Sequence, residues 1–316
     1  MRNKGENLLK YFGSCAVVAF VAGVSTSASL AQDGPTDPAT IIVVGDRAEQ
    51  AEIAADQAKA ITLRPPIDVP LARRYAPICV KLFGIDPAYG DLIAEQIRRN
   101  AQILGRPVAK PGCQPNVWIG FFSNSKAEVE RLRKSDPAMF ETLDSNEVKR
   151  VFGGSGAAQA WNATEVRSAD GRPIPIAELN IPGQNGRKVE TGYNSQYSGG
   201  RLNSPIRNDI NGTIVIFDRK LANGKTGQQL ADYATFRIFA PVQDFAEATP
   251  GAMPSILQLF TPGAIPPDGL TEFDWAYLSA YYKLGHGAKA SAIHDATKRT
   301  MLDGTGQRLR EKAAGE

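Results

Sequence analysis

Thr213-Ile214-Val215-Ile216-Phe217-Asp218, and a few residues later Thr226-Gly227-Gln228-Gln229-Leu230-Ala231-Asp232-Tyr233-Ala234-Thr235-Phe236-Arg237-Ile238-Phe239-Ala240-Pro241, form the stretch whose reading decides the fold. The run of β-formers without a charge is a buried strand by composition, and Asp218 ends it. Thr226 with Gln229 three positions on is a capping box, and Pro241 cannot continue a helix, so a helix is expected from Thr226 to about Ala240. That helix is apolar almost all round, with Asp232 and Arg237 the exceptions, which puts it at the centre of a domain.

Outward from this pair, other elements are marked by their caps. Asp86 caps a helix with Pro87 at its first position, and Leu92, Ile93, Ile97, Ala101 and Leu104 recur at helical spacing until Gly105 and Pro107. Asn116 to Phe122 reads as a strand, Ser125-Lys126-Ala127-Glu128 as the capping box of a charged surface helix, and 146–151 as a short helix. Trp161–Arg167 and Ile174–Ile181 flank Asp170-Gly171 as a hairpin, and 182–205 is a long polar loop. Thr271-Glu272-Phe273-Asp274 opens a helix carrying Trp275, Tyr277, Leu278, Tyr281 and Tyr282, an aromatic stripe read as core. Strands, hairpin and helices do not alternate as in a doubly wound sheet, so the expected class is α+β: one mixed domain with a central β-sheet and packed helices.

The chain ends are read differently. Lys4 and Lys10 precede an uncharged apolar run from Tyr11 to Val24, and Ser29 and Ala31 stand where a signal peptidase cuts before Gln32. The run is short of the roughly 20 residues a membrane-spanning helix needs. Cys15 is not read as a lipid-attachment site, since Phe12-Gly13-Ser14 is the wrong approach to one. The expected organisation is therefore a signal peptide over 1–31, a disordered tail over 32–73, the globular domain over 74–290 and a charged, partly helical C-terminal tail over 291–316. Within the first tail, Ile41-Ile42-Val43-Val44-Gly45 resembles the short Ile/Val-Val-Thr-Gly stretch of TonB-dependent outer-membrane receptors, with Thr absent. It is read as a strand that packs on its own domain or, alternatively, pairs with the sheet edge of a partner.

Export governs the chemistry that remains. The 36 basic and 33 acidic side chains lose Arg2, Lys4, Lys10 and Glu6 with the signal, which leaves a balance close to neutral. Nothing in that charge calls for nucleic acid as partner, and no integral membrane segment remains after cleavage. Cys79 and Cys113 are the only pair left in an oxidising compartment and are read as a disulfide; the rival reading, a metal site, lacks nearby Cys or His to complete it. His286 and His294 are the only histidines, which argues against a hydrolase because acid–base and metal chemistry lean on His. No His-Glu-x-x-His, P-loop or dinucleotide fingerprint occurs, and no cofactor is expected. Gly153-Gly154-Ser155-Gly156-Ala157 is the nearest nucleophile candidate, one residue short of an elbow and without a strand before it.

Asn203-Ser204-Pro205-Ile206-Arg207-Asn208-Asp209-Ile210, Val215-Ile216-Phe217-Asp218, Leu230-Ala231-Asp232-Tyr233-Ala234 and Leu270-Thr271-Glu272-Phe273-Asp274 together resemble an uncharacterised family of exported alphaproteobacterial proteins. More remotely, residues 205–283 are similar to zincin-like putative lipoproteins, in which a helix carrying His-Glu precedes a Leu-Thr-x-Phe-Asp helix. The resemblance implies a zincin-like scaffold with Ala231, Asp232 and Thr235 standing where His, Glu and His would hold zinc. Alanine and threonine cannot grip a metal, so it implies a pseudoenzyme whose peptide groove survives. The expected function is an exported, non-catalytic binding module on a degenerate metallopeptidase-like scaffold, with a peptide or envelope protein as partner. Its candidate groove is lined by Arg201, Arg207, Asp232, Tyr233 and Arg237, beside Thr213–Phe217 and under loop 182–205. The alternative is a periplasmic hydrolase using Ser155 or an Asp/His site.

Overall fold

The computed structural model describes residues 38–66, 68–154, 156–174, 176–180, 188–192, 204–243, 245 and 250–315. The chain divides into two units, Met1–Thr40 and Ile41–Glu316, and the architecture below is that of the second. In chain order the elements are α1 (Pro38–Ile61), β1 (Ala72–Arg73), β2 (Val80–Phe83), α2 (Pro87–Ile103), β3 (Val117–Phe122), α3 (Ser125–Ser135), α4 (Ser145–Gly153), β4 (Ala158–Ser168), β5 (Ile176–Asn180), β6 (Lys188–Gly192), β7 (Ile206–Asp218), α5 (Arg219–Ala222), α6 (Gly227–Phe239), α7 (Glu272–Lys283), α8 (Ile293–Leu302) and α9 (Thr305–Gly315). The fold is α+β.

β7 organises the sheet. On one side it runs antiparallel to β4, from Ser168 opposite Ile206 to Ala158 opposite Phe217, with a bulge where Ala163 faces Gly212 and Thr164 faces Ile210. On the other it pairs in parallel first with β1 at Asn208 and Asp209, then with β3 from Thr213 to Asp218. β3 in turn pairs in parallel with β2. The period-two alternation of a strand then fills two cores. Val117, Ile119, Phe121, Val215 and Phe217 join the large core with α1, α2, α6 and α7, while Ile216 and Trp161 join Val129, Phe140 and Val151 under α3 and α4.

The caps read from sequence hold, because a cap is a contact within one turn. Asp86 accepts the Ala88 N–H with Pro87 at the first helical position, and Thr226/Gln229 and Thr271/Asp274 both form reciprocal capping boxes. Two details differ. α3 is capped by Asn124, one residue before the expected Ser125, whose hydroxyl instead donates to the Gly156 carbonyl. Leu92 lies on the exposed side of α2.

Four larger expectations are corrected. Residues 38–61, read as part of a disordered tail, form α1, whose Ala51, Ala54, Ala58 and Ile61 are buried in the large core. Alanine loses no side-chain entropy in a helix, and a stripe of it at one-turn spacing lets two backbones approach closely, so little bulky apolar residue is needed. Gln57 also clamps Met253, giving a bond to its carbonyl and taking one from its N–H, at 3.1 and 2.8 Å. Second, Ile41–Gly45 lies in this helix and not in a strand. Third, α8 and α9 are docked, not a loose tail: Ile293, Ala296 and Met301 are buried, and the Thr300 hydroxyl bonds the Ala276 carbonyl of α7 at 2.9 Å. Gly306 makes this docking possible, since a Cβ there would stand 2.4 Å from the Glu272 carbonyl oxygen. Fourth, a turn does form at Asp170-Gly171, where Gly171 has φ 88°, but β5 pairs with β6, and among the described residues the pairing across the turn is an isolated Arg167–Pro173 bridge before β5 begins.

Cys79 and Cys113 form a disulfide with Cα atoms 6.1 Å apart. It fastens the start of β2 to the segment leading into β3, beside Asn116, whose Oδ1 accepts the Cys79 N–H at 2.9 Å. No helix among the described residues is long and apolar enough to cross a membrane.

Candidate functional site

α6 is buried along its length, so its few polar side chains need partners, and they find them on two different faces. One face meets α2. Asp232 accepts from Asn100 Nδ2 at 2.6 Å and from the Leu270 N–H at 3.0 Å, with Gln96 Nε2 at 3.4 Å. Asn100 also reaches the Thr235 hydroxyl at 3.0 Å, and that hydroxyl donates to the Ala231 carbonyl at 2.8 Å. Burial raises the Asp232 carboxyl above the ordinary range against the pull of these donors, Asn100 first among them. Gly269 lies against it so closely that a Cβ there would stand 2.5 Å from Asp232 Oδ2. Asp232 thus ties α6, α2 and the approach to α7 together. It lies at the edge of a cleft of about 500 Å³ shared with Gln96, Gln228 and Arg310.

The opposite face carries Tyr233 and Arg237, one turn apart. The Arg237 guanidinium donates to the Tyr233 hydroxyl at 2.9 Å and to the Val242 carbonyl at 2.8 Å, and sits over the Tyr233 ring at 5.0 Å. Beyond the end of α6, the carbonyls that a helix leaves unmatched are taken up by distant side chains. Asn162 of β4 donates to Arg237 O at 3.3 Å, Arg74 Nε to Ile238 O at 3.5 Å, and the Tyr282 hydroxyl to Phe239 O at 3.0 Å. Arg74 is itself buried and is bonded through Nη2 to the Thr213 hydroxyl, which donates to Asn162. Burial brings its pKa down to about 10. The negative end of the α6 dipole is the compensating partner for this cation.

A groove lies on the Arg237 side. Its narrower half, about 330 Å³, is walled by Leu63, Val69, Leu71, Thr164, Val166 and Asn208. Its wider half, about 780 Å³, is walled by Arg64, Lys149, Arg150, Gln243, Phe245 and Phe260. The two halves share Leu63, Arg64, Asp144 and Glu147, and β4, the outermost strand on this side among the described residues, contributes Thr164 and Val166. Burial, and next the nearby Arg237 guanidinium, bring Arg150 down to about 10. Burial pushes Glu147 up, with the neighbouring Asp144 adding to the push against the Asp144 N–H that it accepts.

The residues expected to form one groove are therefore dispersed. Asp232 and Arg237 point to opposite sides of α6 and make no pair, because five residues along a helix cannot share a face. Arg207 belongs to an ion-pair network at the start of β7, bonded to Asp209 at 2.8 Å and stacked over the Tyr75 ring at 4.2 Å, with Arg167 and Glu165 beyond. It packs against Gly171, where a Cβ would stand 2.2 Å from its guanidinium. Arg201, Ser155 and most of loop 182–205 lie outside the described residues. His286 bonds the Ser204 carbonyl at 3.0 Å, and His294 bonds Asp295 at 2.8 Å with Asp56 at 3.5 Å. Among the described residues no three His, Cys, Asp or Glu side chains are grouped to hold a metal ion.

Neither Tyr233 nor Arg237 is among the residues that line this groove, and Arg64, Glu147 and Arg150, which do line it, were not read from the sequence as site residues. The spacing of the α4 capping box, Asp144 to Glu147, was visible, but nothing local says that this helix faces the end of α6. Compared with protein-family models, with curated proteins and with solved structures, the chain matches none of them.

Proposed function

We propose that this protein is an exported, non-catalytic binding module, acting in the periplasm or outside the cell, that receives an extended peptide segment of an envelope protein in the groove beside β4. The observation that carries the reading is the two-part groove itself, walled by Thr164 and Val166 of β4 together with Ala72 of β1 and Asn208 of β7 in one half, and by Arg64, Lys149, Arg150, Asp144 and Glu147 with Phe245 and Phe260 in the other. A strand at a sheet edge offers main-chain groups to an incoming chain, and the neighbouring hollows take alternate side chains.

The zincin-like resemblance is compatible with the topology, in which one antiparallel outer strand lies on an otherwise parallel sheet and a buried helix follows the central strand. A degenerate scaffold of that kind would keep a peptide groove after losing metal ligands at Ala231 and Thr235. The disulfide between Cys79 and Cys113 supports an oxidising compartment.

The test is Val166→Trp, which fills the narrower half from a half-buried position. A fluorescein-labelled hexapeptide pool of degenerate sequence is expected to bind the wild type and to lose about tenfold or more in affinity for the variant, with the melting temperature unchanged. Equal binding to both proteins, or none to the wild type, would refute the groove reading.

A further inference from the structure

We propose that the narrower half of the groove is a subsite for a compact apolar group that carries one N–H or O–H donor, which Asn208 receives through its side-chain carbonyl. This deepens the groove reading above and rests on it for the place of the site.

Strand register supplies the floor. Val166 of β4 and Ala72 of β1 are both paired with Asn208 of β7, so the three stand in one row across the sheet. Residues paired across neighbouring strands share a face, and all three line the narrower half, a cavity of about 330 Å³. Leu63, Val69, Leu71 and Pro241 add apolar wall around that row. A mostly apolar hollow of this size with few polar groups has the make-up of a site for a small ligand or a single side chain. Several of its other polar groups already have partners. Asp144 accepts the Asn146 and Glu147 N–H groups at 2.7 and 2.9 Å, and Glu147 accepts the Asp144 N–H at 3.3 Å. The Thr142 hydroxyl accepts the Thr164 N–H at 3.3 Å, and the Tyr281 hydroxyl donates to the Ala72 carbonyl at 2.9 Å.

Asn208 is the exception. It is buried, and its Oδ1 accepts no hydrogen bond among the described residues, although its Nδ2 donates to the Pro70 carbonyl at 3.4 Å. A carbonyl can only accept, so Pro70 fixes which end of the amide is the nitrogen and leaves the oxygen over. A buried acceptor without a partner costs stability, and leucine, of nearly the same shape, would avoid that cost. An asparagine between Val166 and Ala72 is therefore explained by a donor that arrives with the ligand. The terminal torsion of asparagine is broad, so a modest turn of the amide presents Oδ1 to the cavity. A neutral carbonyl oxygen favours a donor and disfavours a second acceptor, which sets the class of group recognised: an apolar body with one N–H or O–H, borne by a peptide side chain or by a free small molecule.

Two pairs of matched shape distinguish the sources. Indole carries an N–H where benzofuran has a ring oxygen, and a labelled hexapeptide pool with tryptophan fixed at one position carries an N–H that the same pool with naphthylalanine lacks. The wild-type protein is expected to bind the donor-bearing member of at least one pair about tenfold more tightly, read by ligand-observed NMR for the free rings and by fluorescence anisotropy for the pools. Asn208→Leu should erase that preference and leave the apolar contribution to binding in place. A preference in the free rings with no pool bound keeps the subsite and removes the peptide as its occupant. Equal binding within both pairs overturns the subsite, and pools that still bind leave the groove reading standing. If neither pair binds, both fall. The comparison on the wild type decides the matter even where Asn208→Leu fails to fold.

Discussion

Replacing Asp274 by Asn isolates the electrostatic cost of one buried carboxyl. Asp274 is fully buried at the first turn of α7, where it accepts from the Ser255 hydroxyl at 2.6 Å and from the Ile256 and Thr271 N–H groups at 2.8 and 2.9 Å. Burial nevertheless outweighs these donors, Ser255 foremost, and lifts its pKa from 3.8 to about 6. The folded chain therefore holds this proton more tightly than the unfolded one. Between pH 4 and 6 the native state binds more protons, and the contribution of Asp274 to stability falls as pH rises. A gap of about 2 units at 1.36 kcal/mol each amounts to about 3 kcal/mol, fully present below the unfolded pKa and lost above the folded one. Asparagine keeps an acceptor for the two N–H groups, and its own NH₂ can donate to Ser255, so the geometry survives without the charge. Urea unfolding of both proteins at fixed pH values from 4 to 7.5 should show near-equal stability at the acid end, and the variant more stable by about 3 kcal/mol at neutral pH. Asp274→Ala should lose about 3–5 kcal/mol at the acid end, because buried N–H groups are left unmatched, and about 3 kcal/mol less than that at neutral pH, since it removes the buried charge as well. Parallel pH profiles for wild type and the Asn variant would refute the reasoning.

Two further outcomes are expected. Reducing the disulfide, which spans 34 positions, should remove about 4 kcal/mol on the chain-entropy account and lower the melting temperature by roughly 10 °C, read by calorimetry with and without reductant. Gly306→Ala should cost about 1–3 kcal/mol, because its Cβ would meet the Glu272 carbonyl at 2.4 Å, and hydrogen exchange should show α9 opening first; an unchanged melting curve would refute the close-approach role of Gly306.

What was legible in the sequence is what is local. Asp86-Pro87, Thr226/Gln229 and Thr271/Asp274 fix helix starts because a cap needs only residues within one turn, and the alternation in Val215-Ile216-Phe217 fixes which neighbour belongs to which core. α1 was not legible by apolar bulk, since its buried stripe is made of alanines whose worth depends on the helices they approach. The partner of β5 was not legible either: the Asp170-Gly171 turn is real, yet a turn signals a change of direction and does not choose the strand that pairs. The groove was the least visible of all, because Arg64, the pair Glu147 and Arg150 of α4, and Asn208 come from three separate segments that no sequence spacing connects.

One part of the site could have been resolved from helix geometry alone. At about 100° per residue, Asp232 and Arg237 stand roughly 140° apart around α6, too far to form the pair that their shared burial suggests, whereas Tyr233 and Arg237 are within about 40° of each other. The structure follows that arithmetic: Asp232 turns to Asn100 and Gln96 of α2, and Arg237 turns to the Tyr233 hydroxyl and Val242. Asp232 is thereby committed to holding three segments of the fold, and a ligand site on this helix has to draw on its other side. On that side Arg237 is held by the Tyr233 hydroxyl and the Val242 carbonyl, next to Gln243, which lines the wider half of the groove.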